Sequence, residues 1–168
     1  MREPRATLLI TDANFLIDCC LMEVPLLETV ARVYHEVSVP LPVVGEVEQL
    51  DQARLEQLGI QCIDMETAQL LEAAQPIQGV SFYDCCCMIL ARERRAVCVT
   101  NDRKLRAVCQ ERQVETRWGL EIILDLHRAG ALSTHEAHQW GKEMARVNVR
   151  ITAAIVAEFE RQLGTTTL

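Results

Sequence analysis

The segment from Asp84 to Asp102, with the sequence DCCCMILARERRAVCVTND, decides the fold. Its first part predicts a helix over 81–95, because Asp84 is followed by seven uncharged and mostly apolar residues. Its second part predicts a buried strand over 96–100 and a further helix over 102–112. Strands that are separated by helices cannot pair as hairpins, so this unit favours a parallel sheet with helices on its faces.

The same alternation of strands and helices extends along most of the chain. Further strands are predicted at 7–11, 37–39, 60–63 and 113–116, and further helices at 14–22, 25–36, 42–58 and 67–74. After the last strand only helical patterns follow, at 118–128, 133–147 and 151–163. We therefore predict an α/β fold, a three-layer α/β/α sandwich over 1–130 with a mainly parallel central sheet, and a helical extension over 131–168 packed on it.

Composition indicates a soluble domain with a substantial core. The chain has 168 residues, of which 49% are hydrophobic, and it has no apolar stretch of the roughly 20 residues that a membrane helix needs. The N-terminal residues lack the apolar core of a signal peptide. Several of the eight cysteines are adjacent in helical patterns and none forms a CxxC pair, which predicts buried thiols rather than a zinc site. A reducing, cytoplasmic location is expected.

Charge is distributed unevenly along the chain. The net charge is −7, yet residues 92–106 contain six Lys or Arg and two acids, a local charge of +4. A basic strip beside an acidic cluster would suit a phosphate-bearing substrate. The alternative is a solvated helix face.

Four acidic residues lie at junctions between the predicted strands and helices: Asp12, Glu46, Asp84 and Asp102. Ligands of parallel α/β sheets bind beyond the carboxyl ends of the strands, where two of these acids fall and a third follows closely. If the four carboxylates converge, they form a hard-oxygen site suited to Mg²⁺ or Mn²⁺. Taken singly, three of them could instead cap helices, and Glu46 could be a surface acid.

Taken together, the four segments that carry these acids resemble the PIN domain family of metal-dependent nucleases, which includes the VapC-type toxins. The resemblance rests on the order and spacing of Ile10-Thr-Asp-Ala-Asn14, Val43-Val-Gly-Glu-Val47, Tyr83-Asp-Cys-Cys-Cys-Met-Ile-Leu-Ala91 and Val99-Thr-Asn-Asp-Arg-Lys-Leu105. It covers residues 7–116. The helices beyond Trp118 go further than a minimal toxin of this family.

The resemblance implies a ribonuclease that hydrolyses RNA phosphodiester bonds with one or two Mg²⁺ or Mn²⁺ ions. Asp12 would be the central ligand, with Asp84, Asp102 and Glu46 completing the set. Asn14 and Thr100 would orient the ligands or water, and Arg103, Lys104 and Arg106 would hold the RNA backbone. The family likeness also implies a homodimer and, for a toxin, a small antitoxin partner.

Two other functional classes are alternatives to a nuclease. A catalytically silent PIN-like interaction or assembly domain would have the same fold and no metal-dependent cleavage. A receiver-like or nucleotide-binding domain is disfavoured, because Ala13 follows Asp12 where a receiver has a second acid and no glycine-rich phosphate loop follows a strand.

Overall fold

A five-stranded parallel sheet forms the centre of the molecule. The structure, a computed structural model, describes residues 7–165. The strands are β1 (Leu8–Thr11), β2 (Glu36–Pro40), β3 (Ile60–Ile63), β4 (Val97–Val99) and β5 (Thr116–Arg117). Their order in the sheet is β3-β2-β1-β4-β5, and every pairing is parallel. The predicted three-layer α/β/α fold with a parallel sheet is confirmed.

Helices connect the strands and cover both faces of the sheet. They are α1 (Ala13–Leu21), α2 (Leu26–Val33), α3 (Leu41–Val44), α4 (Gln52–Gln57), α5 (Thr67–Ala73), α6 (Phe82–Arg94), α7 (Arg103–Glu111), α8 (Gly119–Arg128), α9 (Thr134–Val147) and α10 (Ala153–Thr165). Within the described residues, no helix is both long and apolar enough to cross a membrane. Residues 1–6, on which the signal-peptide expectation partly rests, lie outside the described residues.

The central strand β1 marks the point where the chain changes direction across the sheet. Leu9 pairs with Val37 of β2 on one side and with Val97 of β4 on the other. The chain builds β2 and β3 on the first side and then crosses to build β4 and β5 on the second. This reversal makes the carboxyl edge between β1 and β4 a topological switch point, where ligands of such sheets bind, and we call this edge the crevice.

Helix α6 packs across the middle of the sheet and carries the predicted Asp84 to this edge. It lies against β1, β2 and β4 through an apolar face that includes Cys86, Cys87 and Ile89. Because α6 leads into a parallel strand, it runs opposite to the strands, and its first turn lies at their carboxyl ends. Ser81 and Asp84 form a capping box at this end of the helix, since each accepts a hydrogen bond from the other's backbone N–H.

Two predicted elements are wrong in detail. The helix predicted over 42–58 is two short helices, because α3 ends at Gly45 and Asp51 takes an extended conformation that caps the start of α4. The strand predicted over 113–116 begins only at Thr116. Gln113 instead follows the end of α7 with a φ of 59°, so the chain is turning where the sequence pattern indicated a strand.

The cysteines and the C-terminal helices both contribute to the core. All eight cysteines are free thiols and six are buried, as the sequence predicted. Helix α9 packs on α1 and α8, and α10 packs on α8 and α9. Gly141 allows the close approach of α10, because a Cβ at this position would collide with the ring of Phe159.

Candidate active site

Asp12 lies at the carboxyl end of β1 and has no exposed surface. Its extended backbone makes it the N-cap of α1, where Oδ1 accepts a hydrogen bond from the N–H of Phe15 at 2.7 Å. Its second oxygen, Oδ2, accepts a bond from the hydroxyl of Thr100 at 2.5 Å. The capping alternative is therefore correct for Asp12, but capping engages only one of its two oxygens.

The charge on Asp12 is poorly compensated. Burial raises the pKa of Asp12 from 3.8 to about 7, although the bonds from Thr100 and Phe15 act in the opposite direction. The neighbouring carboxylates of Asp84 and Asp18 raise this pKa further. Among residues 7–165, no Lys, Arg or His forms an ion pair with Asp12. A buried carboxylate in this position is stabilised by any cation that reaches it.

Asp84 is the acid whose charge acts on Asp12 from the first turn of α6. Its carboxylate accepts the N–H of Ser81 at 3.3 Å, and the side chain is partly exposed. One oxygen is thus used for capping and the other makes no hydrogen bond within the described residues. Asp84 therefore begins the helix at the carboxyl edge of the sheet, close enough for its charge to act on Asp12.

Asp102 lies across the crevice at the start of α7, and both of its oxygens are engaged. Oδ1 accepts bonds from the N–H groups of Lys104 and Leu105 at 2.8 and 3.0 Å. Oδ2 forms an ion pair with Arg150 at 2.9 Å. The hydroxyl of Thr100 accepts the N–H of Asp102 at 3.0 Å while donating to Asp12, so Thr100 links the two acids.

The remaining predicted residues are less closely joined to this group. Glu46 and Asn14 are exposed, and neither side chain makes a hydrogen bond or ion pair within the described residues. Glu46 follows α3, which begins directly after β2 and packs on α6. The structure therefore joins Asp12, Thr100 and Asp102 by direct bonds and leaves Glu46 at the surface.

The basic residues after Asp102 divide into two kinds. Arg103 and Lys104 are exposed in the first turn of α7. Arg106 is partly buried, with its guanidinium 4.2 Å from the centre of the Trp118 ring and 3.7 Å from the carboxylate of Glu121. Trp118 is therefore held in a cation–π contact within the fold.

A buried polar cluster around Asp18, which the sequence patterns above do not predict, adjoins the site through Asn101, the residue between Thr100 and Asp102. Asp18 is almost completely buried, and its Oδ2 accepts bonds from the side-chain amides of Asn101 at 3.2 Å and Asn148 at 2.7 Å. Asn101 also accepts the N–H of Gly119 at 2.9 Å, which ties the start of α8 to the end of β4. An acid within the apolar run Leu16-Ile17-Asp18-Cys19 was the signal that could have indicated Asp18.

The fit of these residues to a metal ion is partial. Within residues 7–165, no group of three or more His, Cys, Asp or Glu side chains is arranged to hold a metal ion. Asp12 and Asp84 nevertheless provide hard carboxylate oxygens at the same edge of the sheet, and the charge of Asp84 contributes to the raised pKa of the buried Asp12. Mg²⁺ is commonly held by one or two carboxylates while water fills its other positions. The chemistry of the pair suits such an ion.

Comparison with known proteins agrees with the fold. A family model described as a PIN domain matches residues 8–165, which includes the C-terminal helices. No curated protein and no solved structure matches the chain. PIN domains commonly have nuclease activity. With a parallel sheet, acids at its carboxyl edge and a match over nearly its whole length, the chain belongs to the PIN domain family.

Proposed function

We propose that this protein is a metal-dependent ribonuclease that hydrolyses RNA phosphodiester bonds at the carboxyl edge between β1 and β4. The observation that carries the proposal is Asp12, a fully buried carboxylate with no cationic partner among the described residues, whose pKa is raised by burial and by the charge of Asp84. A structural cap does not need this environment, since Asp51 caps α4 from an exposed position.

In the proposed reaction Asp12 and Asp84 would hold a Mg²⁺ or Mn²⁺ ion. Such an ion would neutralise charge on the scissile phosphate and lower the pKa of the attacking water. The hydroxyl of Thr100 donates to Oδ2 of Asp12, and this hydrogen bond would fix the orientation of the carboxylate. The N–H of Asp102 donates to the same hydroxyl, and the Asp102 carboxylate would contribute to the acidic site from the β4 side of the crevice. Glu46 would contribute from the surface.

RNA would approach this edge over the start of α7. Arg103 and Lys104 are exposed there and directly follow Asp102, so they are the better candidates for contacts with backbone phosphates. Arg106 was predicted for the same role. Its contacts with Trp118 and Glu121 instead support a structural role, in which Arg106 holds Trp118 in place.

Cleavage of a labelled single-stranded RNA with Mn²⁺ and with EDTA tests the proposal. The wild type should cleave only with Mn²⁺, and Asp12→Asn should lower the rate by about 10³-fold, since each 1.36 kcal/mol lost from transition-state stabilisation is tenfold. Asp51→Asn is a matched control, because Asp51 also caps a helix through Oδ1, at 2.8 Å from the N–H of Arg54. A folded wild type that neither cleaves RNA nor binds Mn²⁺ would favour a silent interaction domain.

A narrower form of the proposal is that the nuclease is a toxin acting on cytoplasmic RNA. It is supported by the likeness of the four acidic segments to VapC-type toxins. Expression in a bacterial host should then arrest growth, and either Asp12→Asn or co-expression of a small antitoxin that co-purifies with the protein should relieve the arrest. Light scattering of the purified 19.0 kDa chain would test the proposed homodimer. Growth unaffected by the wild type would leave a stand-alone nuclease.

A further inference from the structure

The loop between α9 and α10 reaches the proposed active site from the C-terminal helices. Arg150 in this loop places Nη1 2.9 Å from Oδ2 of Asp102, 48 residues away in sequence. The four matched segments do not include this arginine. Its contact with Asp102 therefore joins the helices beyond β5 to the acidic edge of the sheet.

The loop is held in place by the buried cluster behind the site. The side-chain amide of Asn148 donates to Asp18 at 2.7 Å, and its Oδ1 accepts the backbone N–H of Arg150 at 3.0 Å. The carbonyl of Asn148 also accepts the N–H of Ile151 at 3.1 Å. Asn148 and Asp18 are both buried, so the backbone of Arg150 starts from a fixed position.

The guanidinium of Arg150 is anchored at one donor and open at the others. Nη1 bonds to Asp102, whereas Nε and Nη2 donate to no group within residues 7–165. The side chain is 52% exposed. A planar guanidinium has five donors in a fixed fork that matches the oxygens of a phosphate. One edge can therefore remain on the carboxylate while another contacts a ligand.

We propose that Arg150 binds a backbone phosphate of the RNA substrate and that Asp102 orients it for this contact. The inference rests on the proposed ribonuclease function and adds the C-terminal helices to its substrate site. The competing explanation is an exposed ion pair that serves only the local structure. Such pairs are common and contribute little to stability.

Arg146 on α9 provides a matched control for that explanation. It forms an ion pair with Glu143 at 2.9 Å. The arginine of this pair is 54% exposed and the acid 23%, close to the 52% and 21% of the pair formed by Arg150 and Asp102. Its partner lies one turn away on its own helix. Replacing either arginine by glutamine removes one comparable ion pair and one positive charge.

The test is binding of a fluorescent single-stranded RNA, measured by anisotropy in EDTA over a series of salt concentrations. EDTA separates binding from cleavage. Arg150→Gln should weaken binding about tenfold and reduce the slope of log K against log salt by about 0.7, the amount expected for one phosphate contact to single-stranded nucleic acid. Arg150→Lys should retain the slope, because lysine still contacts a phosphate as a point charge. Arg146→Gln should change neither quantity.

Equal affinities and slopes for Arg150→Gln and Arg146→Gln would overturn the proposal, and so would a slope that Arg150→Lys fails to restore. Thermal unfolding of each variant establishes that it is folded. Cleavage of the same RNA by the wild type with Mn²⁺ is measured in parallel. If the wild type cleaves and the two glutamine variants bind alike, only the role of Arg150 fails, whereas a wild type that never cleaves removes the proposed function itself.

Discussion

The crevice has two sides, which we call the β1 wall, formed by Asp12, and the β4 wall, formed by Asp102. The two acids cap their helices in the same way but lie in different surroundings. Asp12 and Asp102 each follow a central strand and cap the next helix through Oδ1. Asp12 is completely buried and has no cationic partner among the described residues, whereas Asp102 is 21% exposed and forms an ion pair with Arg150. The β1 wall therefore has an uncompensated negative charge, and the β4 wall has one that the protein neutralises itself.

The difference indicates which acid depends on something from outside the chain. Leaving a carboxylate buried without a cation opposes folding, and a local cap at an exposed position has no such cost. Acids whose pKa is perturbed by such burial are typical of functional sites. We infer that the β1 wall is built to receive a cation and the β4 wall to present a positive group to substrate. The following predictions test that contrast in order of decreasing effect.

The largest expected effect is on stability in EDTA, where Asp12→Asn should stabilise the protein at high pH. The pKa of Asp12 is raised from 3.8 to about 7 in the folded protein. The free energy of unfolding of the wild type should therefore be highest below pH 4 and fall as the pH rises from 4 to 7. Asp12→Asn should therefore raise the free energy of unfolding above pH 7 by as much as about 4 kcal/mol and leave it almost unchanged at pH 4. Urea unfolding at both pH values measures this change.

Asp102→Asn is the comparison for that experiment. Asparagine retains a capping oxygen, and the variant loses only an ion pair that is partly exposed, so a change within about 1 kcal/mol is expected at both pH values. If the two variants behave alike, the proposed contrast between the walls is wrong.

A smaller effect is expected at Thr100, which joins the walls. Thr100→Val removes the donor to Asp12 and the acceptor for the N–H of Asp102 while nearly preserving shape. Both groups then lack a partner in a buried setting, which should destabilise the fold by about 1–3 kcal/mol. Thr100→Ser keeps the hydroxyl and should recover most of the loss in urea unfolding. Equal stability of the valine and serine variants would show that the hydroxyl does not join the walls.

The smallest effect is expected at the rim. Glu46 and Glu48 are both exposed near the end of α3, but only Glu46 corresponds to the acid in the matched segment Val43–Val47. Glu46→Gln should lower the rate of RNA cleavage by a few fold, about 1 kcal/mol in activation free energy. Glu48→Gln should leave the rate unchanged, and equal rates for both variants would remove Glu46 from the site.

The sequence predicted the features that depend on local pattern. Strand-to-helix junctions placed Asp12 and Asp102 at one edge of the sheet, and the apolar run after Asp84 predicted the helix that forms α6. The break between α3 and α4 was missed, because Gly45 and Asp51 lie within an otherwise helical spacing. Adjacent apolar and acidic residues in one segment do not distinguish one long helix from two short ones.

The contacts made by the C-terminal helices could not be predicted in the same way. Asp18 and Asn148 are 130 residues apart, and Arg150 lies 48 residues from Asp102. Nothing in the spacing of Val147-Asn-Val-Arg150 indicates which surface the α9–α10 loop meets. These contacts depend on how α9 and α10 pack against α1 and α8, which is a property of the assembled core rather than of a local pattern.

Calorimetric titration of Mn²⁺ into the metal-free protein at pH 7.5 tests the central claim most directly. We predict that the wild type binds Mn²⁺, that Asp12→Asn abolishes measurable binding and that Asp102→Asn retains most of the affinity. Because the ligands must be deprotonated, binding by the wild type should weaken as pH falls below the raised pKa of Asp12 near 7. Binding by Asp12→Asn equal to that of the wild type would contradict the account.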